Sequence, residues 1–394
     1  MLKKINLIKG REQSLYRRHP WIFSGAIKKA DPTIQDGELA EILDVQNNFL
    51  GIGHYQSGTS IAVRMLTFKR EDIDLLFWKS TLEKSIAYRN RLGLIDLKDL
   101  NAYRLFHGEG DGISGLIIDY YNGVVVIQIH SLGIYQHRAE IANALRELLN
   151  NRIVAIYCRA KDTLNQSGNL HFEDEFLFGE QREVEILEYG RKFKVNVVEG
   201  QKTGFFLDQR ENRLLVSQYV RGKSVLNAFC YTGGFSVYAL TAEAKSVDSV
   251  DISEKAIVLT DENVSLNTSK EYHKSITANV LPFLSEDNCP EYDVVIVDPP
   301  AFAKSLQKRH NAIQAYKRLN ALAMKKVRPG GLLFTFSCSQ VVTTQLFYDT
   351  IVAAGLESGR NIRVARHLSQ GPDHPVNLYH PEGHYLKGLM LFVE

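Results

Sequence analysis

Cys338 stands between two serines in "FTFSCSQ", where an apolar run stops a few residues after the turn "RPGG". Two readings are open for such a thiol. It is either a small residue that fills the core at a strand end, which the local pattern alone favours, or a nucleophile at the mouth of a site. Asp298 ends another apolar run, in "VVIVDPPAFAKS". The two prolines after it each fix their own φ and restrict the preceding residue, so its carboxylate is held at a rigid turn. From there it could face a crevice or merely cap the turn. Gly233 and Gly234, in "NAFCYTGGFSVYAL", would let backbone approach a ligand at a helix N-terminus, although the spacing is not GxGxxG. Asp251 follows Gly233 by 18 positions and could accept hydrogen bonds from ribose hydroxyls, or cap the helix beginning near Glu254.

These residues need elements to hold them. From about Lys223 the sequence alternates strand, loop and helix, through "SVLNAF", "SVDSVDIS", "SITANV", "YDVVIVDPP" and "GLLFTFSCS". Such alternation predicts a parallel sheet covered on both faces, with ligands bound beyond the carboxyl ends of its strands. Cys338 and Asp298 then fall at one lip, on neighbouring strands. Upstream, residues 1–70 give short apolar runs joined by Gly, Asn and Asp turns, a small β-rich module. Residues 72–91 show near-helical spacing and read as a connecting helix. Residues 101–160 read as a small α+β unit: two strands about a turn, the helix candidate "IYQHRAEIANALRELLN" and the strand "RIVAIYCR". A hairpin-like "REVEILEYGRKFKVNVVE" leads into the alternating region.

A chain of 394 residues, 44% hydrophobic and 23% charged, predicts a globular protein of more than one domain. No apolar stretch is long enough to cross a bilayer, and the N-terminus has no apolar signal core, so the expected compartment is the cytoplasm. The four cysteines form no CxxC pair, which predicts reduced thiols and no metal site. Net charge is only +2, but residues 1–70 hold 11 Lys/Arg against 6 Asp/Glu. A second run, Pro299 to Gln340, carries Lys304, Lys308, Arg309, Lys317, Arg318, Lys325, Lys326 and Arg328 with no acid. It is either a solvated helix face or a track for phosphates.

"KTGFFLDQR", "FCYTGGFS", "VDPPAFAKS", "FTFSCS" and "GPDHPVNLYHPEGHYLKGL" together resemble the RlmI-type family of S-adenosylmethionine-dependent methyltransferases, which make 5-methylcytosine in large-subunit (23S) ribosomal RNA. The resemblance covers nearly the whole chain. It implies a multidomain α/β protein: a PUA-like RNA-binding β module (1–72), a small central α+β domain (73–190) and a Rossmann-like class I methyltransferase domain (191–394). It implies Cys338 as the nucleophile that adds to cytosine C6, and Asp298 as the group that hydrogen-bonds or protonates N3. For S-adenosylmethionine it implies Asp208, Gln209, Arg210, Phe229, Tyr231 and Gly233 around the methionine end, Asp251 on the ribose, Asn279 near the adenine, and Asp298 alongside. RNA contacts are expected from Arg17, Arg18, Trp21, Phe302 and Lys304, with Trp21 and Phe302 equally able to be core residues. Relatives with two cysteines carry the second just after the prolines, where this chain has Ala301 and Phe302, so no base for the C5 proton is named. Cys230 lies in the glycine loop as a rival thiol.

Two other readings stay open. "DPPAF" could hold an exocyclic amine, which needs no thiol, or the chain could be an RNA-binding assembly factor without turnover. Ribosomal RNA is the expected partner, and a second copy of the chain is a further candidate.

Overall fold

The structure is a computed structural model that describes residues 2–165, 171–303 and 305–394. Lys304, expected at RNA, lies outside the described residues. The chain forms two compact units. One comprises residues 1–186, 195–205 and 372–383; the other comprises residues 187–194, 206–371 and 384–394.

The first unit opens with a six-stranded sheet built from Lys3–Leu7, Trp21–Phe23, Ile27–Ala30, Leu39–Leu43, Phe49–Tyr55 and Ile61–Thr67. Ile5, Leu7, Ile22, Ile42 and Val63 fill its core, so the short runs read from sequence are inward faces of strands. Helix Leu75–Arg91 follows, capped by Asp74, whose carboxylate accepts from Leu76 N at 2.9 Å and Phe77 N at 3.0 Å. The α+β region contains a five-stranded sheet. Where the sequence reading had two strands about a turn, Ala102–His107, Leu116–Tyr121 and Val124–Ile129 form an antiparallel meander. The extra strand is cut off by Gly108 and Gly112, both at positive φ, which turn the chain before Leu116.

In the second unit the strands are β1 (Ser224–Ala228), β2 (Ser246–Asp251), β3 (His273–Thr277), β4 (Tyr292–Val297), β5 (Val327–Ser337), β6 (Ile362–Ser369) and β7 (Lys387–Val393). They form one sheet in the order 3-2-1-4-5-7-6. Strands β1 to β5 are parallel, and β7 runs antiparallel between β5 and β6. After a helix at Arg210–Ser217, the helices that follow β1 are α1 (Gly234–Thr241), α2 (Glu254–Asn267), α3 (Val280–Ser285), α4 (Arg309–Lys325) and α5 (Thr344–Ser358). Val225, Leu226, Val294, Val295, Ile296, Phe334 and Phe336 are all buried, as a sheet covered on both faces requires. The order places the ends of β1, β4 and β5 side by side, and the chemistry-bearing loops leave from those ends.

Candidate active site

Val297 pairs with Thr335 in the β4–β5 ladder, so Asp298 and Cys338 leave neighbouring strands at the same edge of the sheet. The two exit loops are tied together, because Ser339 Oγ donates to Ala303 O at 2.6 Å. Gln209 fixes the Asp298 carboxyl: its Nε2 donates to Oδ2 at 3.0 Å, and its own Oε1 accepts from Asn212 Nδ2 at 2.6 Å. Burial and the neighbouring Asp208 carboxylate push Asp298 up to about 7, against the Gln209 hydrogen bond and the Arg213 charge. A carboxyl tuned to that range can give and retake a proton near neutrality.

Of the four cysteines, Cys158, Cys230 and Cys289 are buried and Cys338 is the most solvent-exposed. Burial pushes the Cys230 thiol up to about 12, and the Thr260 hydroxyl beside it only partly opposes this, so the rival in the glycine loop is held as an unreactive thiol. Two further side chains bear on the site that sequence reasoning did not single out. Tyr316 on α4 is fully buried, and its hydroxyl has no hydrogen-bond partner among the described residues. Burial above all raises its pKa, the Ser337 hydroxyl and the Phe302 backbone close to it oppose this without forming a well-shaped hydrogen bond, and the charges of Cys338 and Asp298 push upward. Lys387 opens β7, opposite Ser337, and is buried with its Nζ on Ser339 O at 2.7 Å. The signal for Lys387 was present as a lone cation in "YLKGLMLFV", an otherwise apolar strand entry. Tyr316 gave no comparable signal inside an ordinary amphipathic helix.

The loop after β1 is strained. Phe229, Tyr231 and Gly233 all have positive φ, at 62°, 46° and 76°. Such backbone costs about 1–3 kcal/mol per non-glycine residue and persists only when its surroundings hold it. Here α2 does so, with Thr260 Oγ1 donating to Tyr231 O and Asn263 Nδ2 to Thr232 O, both at 2.8 Å. A Cβ on Gly233 would come within 2.6 Å of Thr260 Cγ2, so the glycine is needed for that closeness as well as for its φ.

Asp251 accepts from Tyr231 N at 3.0 Å and from Ser253 N at 2.9 Å, so it shapes the loop and keeps part of its accepting capacity for a ligand. Asp208 Oδ2 accepts from Tyr385 OH at 2.7 Å, while Oδ1 is buried without a partner among the described residues. An orphaned carboxylate oxygen of this kind fits an ammonium group. These features suit a cofactor with an amino-acid end and a nucleoside end.

Other expected contacts are placed differently. Gln209 serves Asp298. Arg210 is fully buried, with its guanidinium on Glu211. Asn279 caps α3 by accepting from Leu281 N at 3.2 Å, which engages the oxygen expected to face adenine. Phe302 packs on Tyr316 with ring centroids 4.6 Å apart. In the N-terminal sheet Arg17 and Arg18 are exposed, whereas Trp21 is anchored, its Nε1 donating to Glu109 Oε1 at 2.9 Å and Ser114 Oγ at 3.0 Å. Phe23, half-exposed, is the freer aromatic of that strand. The basic run after Pro299 is not one track: Lys317 pairs with Glu357, Arg328 with Asp293, and Lys326 bonds the carbonyls of Glu286 and Cys289. Lys308 and Arg309 remain exposed near the Asp298 loop.

Residues 103–375 match the S-adenosylmethionine-dependent methyltransferase family, and residues 5–68 match the PUA-like domain. The chain therefore carries an S-adenosylmethionine-dependent methyltransferase region and a PUA-like module. Over its whole length the chain is 38% identical to the ribosomal RNA large subunit methyltransferase I of Tolumonas auensis, covering 99% of both chains. It is 39% identical to that of Aeromonas hydrophila, again covering 99% of both. The chain belongs to the ribosomal RNA large subunit methyltransferase I family. Two solved structures share its fold over 100% of both chains at 24% identity: a SAM-dependent methyltransferase from Streptococcus mutans, with TM-score 0.85, and a methyltransferase complexed with SAH, with TM-score 0.86.

Proposed function

We propose that the protein methylates C5 of a cytosine in large-subunit ribosomal RNA through a covalent adduct between Cys338 and C6. The observation that carries this reading is that the most solvent-exposed cysteine stands on a loop tied to that of a carboxyl raised to about 7. C5 of cytosine is a poor nucleophile until a thiolate adds to C6. As the Sγ–C6 bond forms, protonated Asp298 gives its proton to N3, so that the ring's electron pair is available at C5. S-adenosylmethionine, when bound, supplies an electrophilic methyl group on a sulfonium. The C5 proton then leaves to a base, the Sγ–C6 bond breaks, and the N3 proton returns to the Asp298 carboxylate. Asp208 would receive the ammonium end of the cofactor and Asp251 a ribose hydroxyl, with the loop from Phe229 to Gly233 between them. The exposed Arg17 and Arg18 would contact phosphates. The names of the relatives supply the RNA class.

The test is methyl transfer to ribosomal RNA from cells lacking the protein, with the product nucleoside identified by mass spectrometry. Wild type should yield 5-methylcytosine, and Cys338→Ala should yield none. A Cys338→Ala enzyme that still methylates would point to an exocyclic amine as the acceptor. Cofactor binding without any transfer would point to an assembly factor.

A further inference from the structure

Lys387 is the only lysine among the buried described residues, at 3% exposure. A buried ammonium is costly unless it is paired with an anion. Its one hydrogen bond runs to a neutral acceptor, Ser339 O at 2.7 Å, and no carboxylate lies within ion-pair distance of it among the described residues. Burial pulls it down to about 8, and Cys338 is the anion-forming group whose charge favours the ammonium. The fold dictates this meeting. β7 pairs with β5 so that Lys387 stands opposite Ser337, one residue before the cysteine, and the lysine side chain reaches the carbonyl one residue after it. The Cys338 loop is therefore straddled by a cation that has no carboxylate partner among the described residues.

We propose that Lys387 is the positioning residue and counter-ion of Cys338: as the neutral amine it takes the thiol proton, and as the resulting ammonium it holds the sulfur as a thiolate. One bond breaks at Sγ and one forms at Nζ, the electron pair stays on sulfur, and charge is conserved within the pair. When the sulfur adds to C6 the ammonium remains on Ser339 O, and elimination returns the thiolate to it. No other reactant is required. Among the described residues, the titratable groups around the pair include His384, whose own protonation is disfavoured by burial and by the Lys387 charge, and Tyr316, on which the charges of both Cys338 and Asp298 act. Neither supplies a competing anion near neutral pH. This inference rests on the reading of Cys338 as a nucleophile, but the ion pair can be tested without RNA.

The experiment alkylates the full-length protein with iodoacetamide across a pH series and follows the Cys338 peptide by mass spectrometry, with Cys158 and Cys230 as buried references in the same digest. In the wild type the rate should reach half its plateau at least one pH unit below the roughly 8.5 of a free thiol. In Lys387→Gln the midpoint should rise by a unit or more, a loss of about tenfold in rate near neutrality. Lys387→Arg, which keeps the charge, should restore most of it. A purely structural lysine would lower stability and leave the midpoint where it was. A wild-type midpoint at or above that of free cysteine, or a Lys387→Gln midpoint equal to the wild type's, overturns the proposal. The wild-type titration decides even if the glutamine variant does not fold. Failure of the cytosine reading shows up separately, as methylation that survives Cys338→Ala.

Discussion

Replacing Asp298 by Asn should make the catalytic unit more stable at alkaline pH and abolish methyl transfer. The carboxyl is raised from 3.8 to about 7, so the folded state holds the proton more tightly than the unfolded chain does. Its contribution to stability is then fully present below the unfolded value and is lost as pH rises through about 7. Above that, the protein folds around an ionised carboxylate that burial and Asp208 both oppose. A shift of roughly three units corresponds to about 4 kcal/mol. The residue is only partly buried, so solvent reduces this, and about 2 kcal/mol is the working figure. For a unit of roughly 150–250 residues that raises the melting temperature by about 4–8 °C. Asparagine removes the titration and can keep a hydrogen bond to Gln209. Thermal melts of both proteins without cofactor, at about pH 5 and about pH 8, should show a gap that opens on the alkaline side. A variant that melts below wild type at the higher pH, or differs equally at both, would refute the account of a strained carboxyl.

Three further outcomes are expected. Glu188→Gln strips the bidentate partner from buried Arg213, now held at 2.7 Å on both oxygens, and should cost about 3–5 kcal/mol in denaturant titration. Gly233→Ala meets Thr260 at 2.6 Å and a φ of 76°, so it should lower both the melting temperature and the affinity for S-adenosylhomocysteine by calorimetry. Tyr316→Phe removes a buried hydroxyl that makes no well-shaped hydrogen bond, with only Ser337 and the Phe302 backbone close to it, and should change stability by no more than about 1 kcal/mol, while any fall in turnover would assign the hydroxyl a part in the reaction.

Much of this arrangement was legible in the sequence, for reasons that can be located. Strand ends announce themselves where apolar runs stop, so Asp298 and Cys338 could be placed on one lip before any coordinates existed. Prolines and glycines announce backbone constraints, and the loop from Phe229 to Gly233 is indeed held in left-handed conformations. Side-chain partnerships across long separations left no such trace. Gln209 reaches Asp298 across 89 positions, and nothing in "FLDQR" distinguishes a cofactor ligand from a tether for a carboxyl. Trp21 looks like a stacking platform in "HPWIF", yet its indole N–H is committed to Glu109 and Ser114 across about 90 positions. The basic run after Pro299 read as continuous because sequence does not show that Lys317 and Arg328 meet acids elsewhere.

The antiparallel strand between β5 and β6 bears on how the catalytic sheet is made. β7 is the last of its strands to be synthesised, and the chain leading from β6 to it passes through residues 372–383, which belong to the other unit. Until β7 arrives, β5 and β6 each present an open edge toward the gap it will fill. The Cys338 loop is therefore synthesised before Lys387 is. On the ion pair proposed above, a growing chain would carry an ordinary cysteine there, and the thiol would be armed only by the strand that closes the sheet.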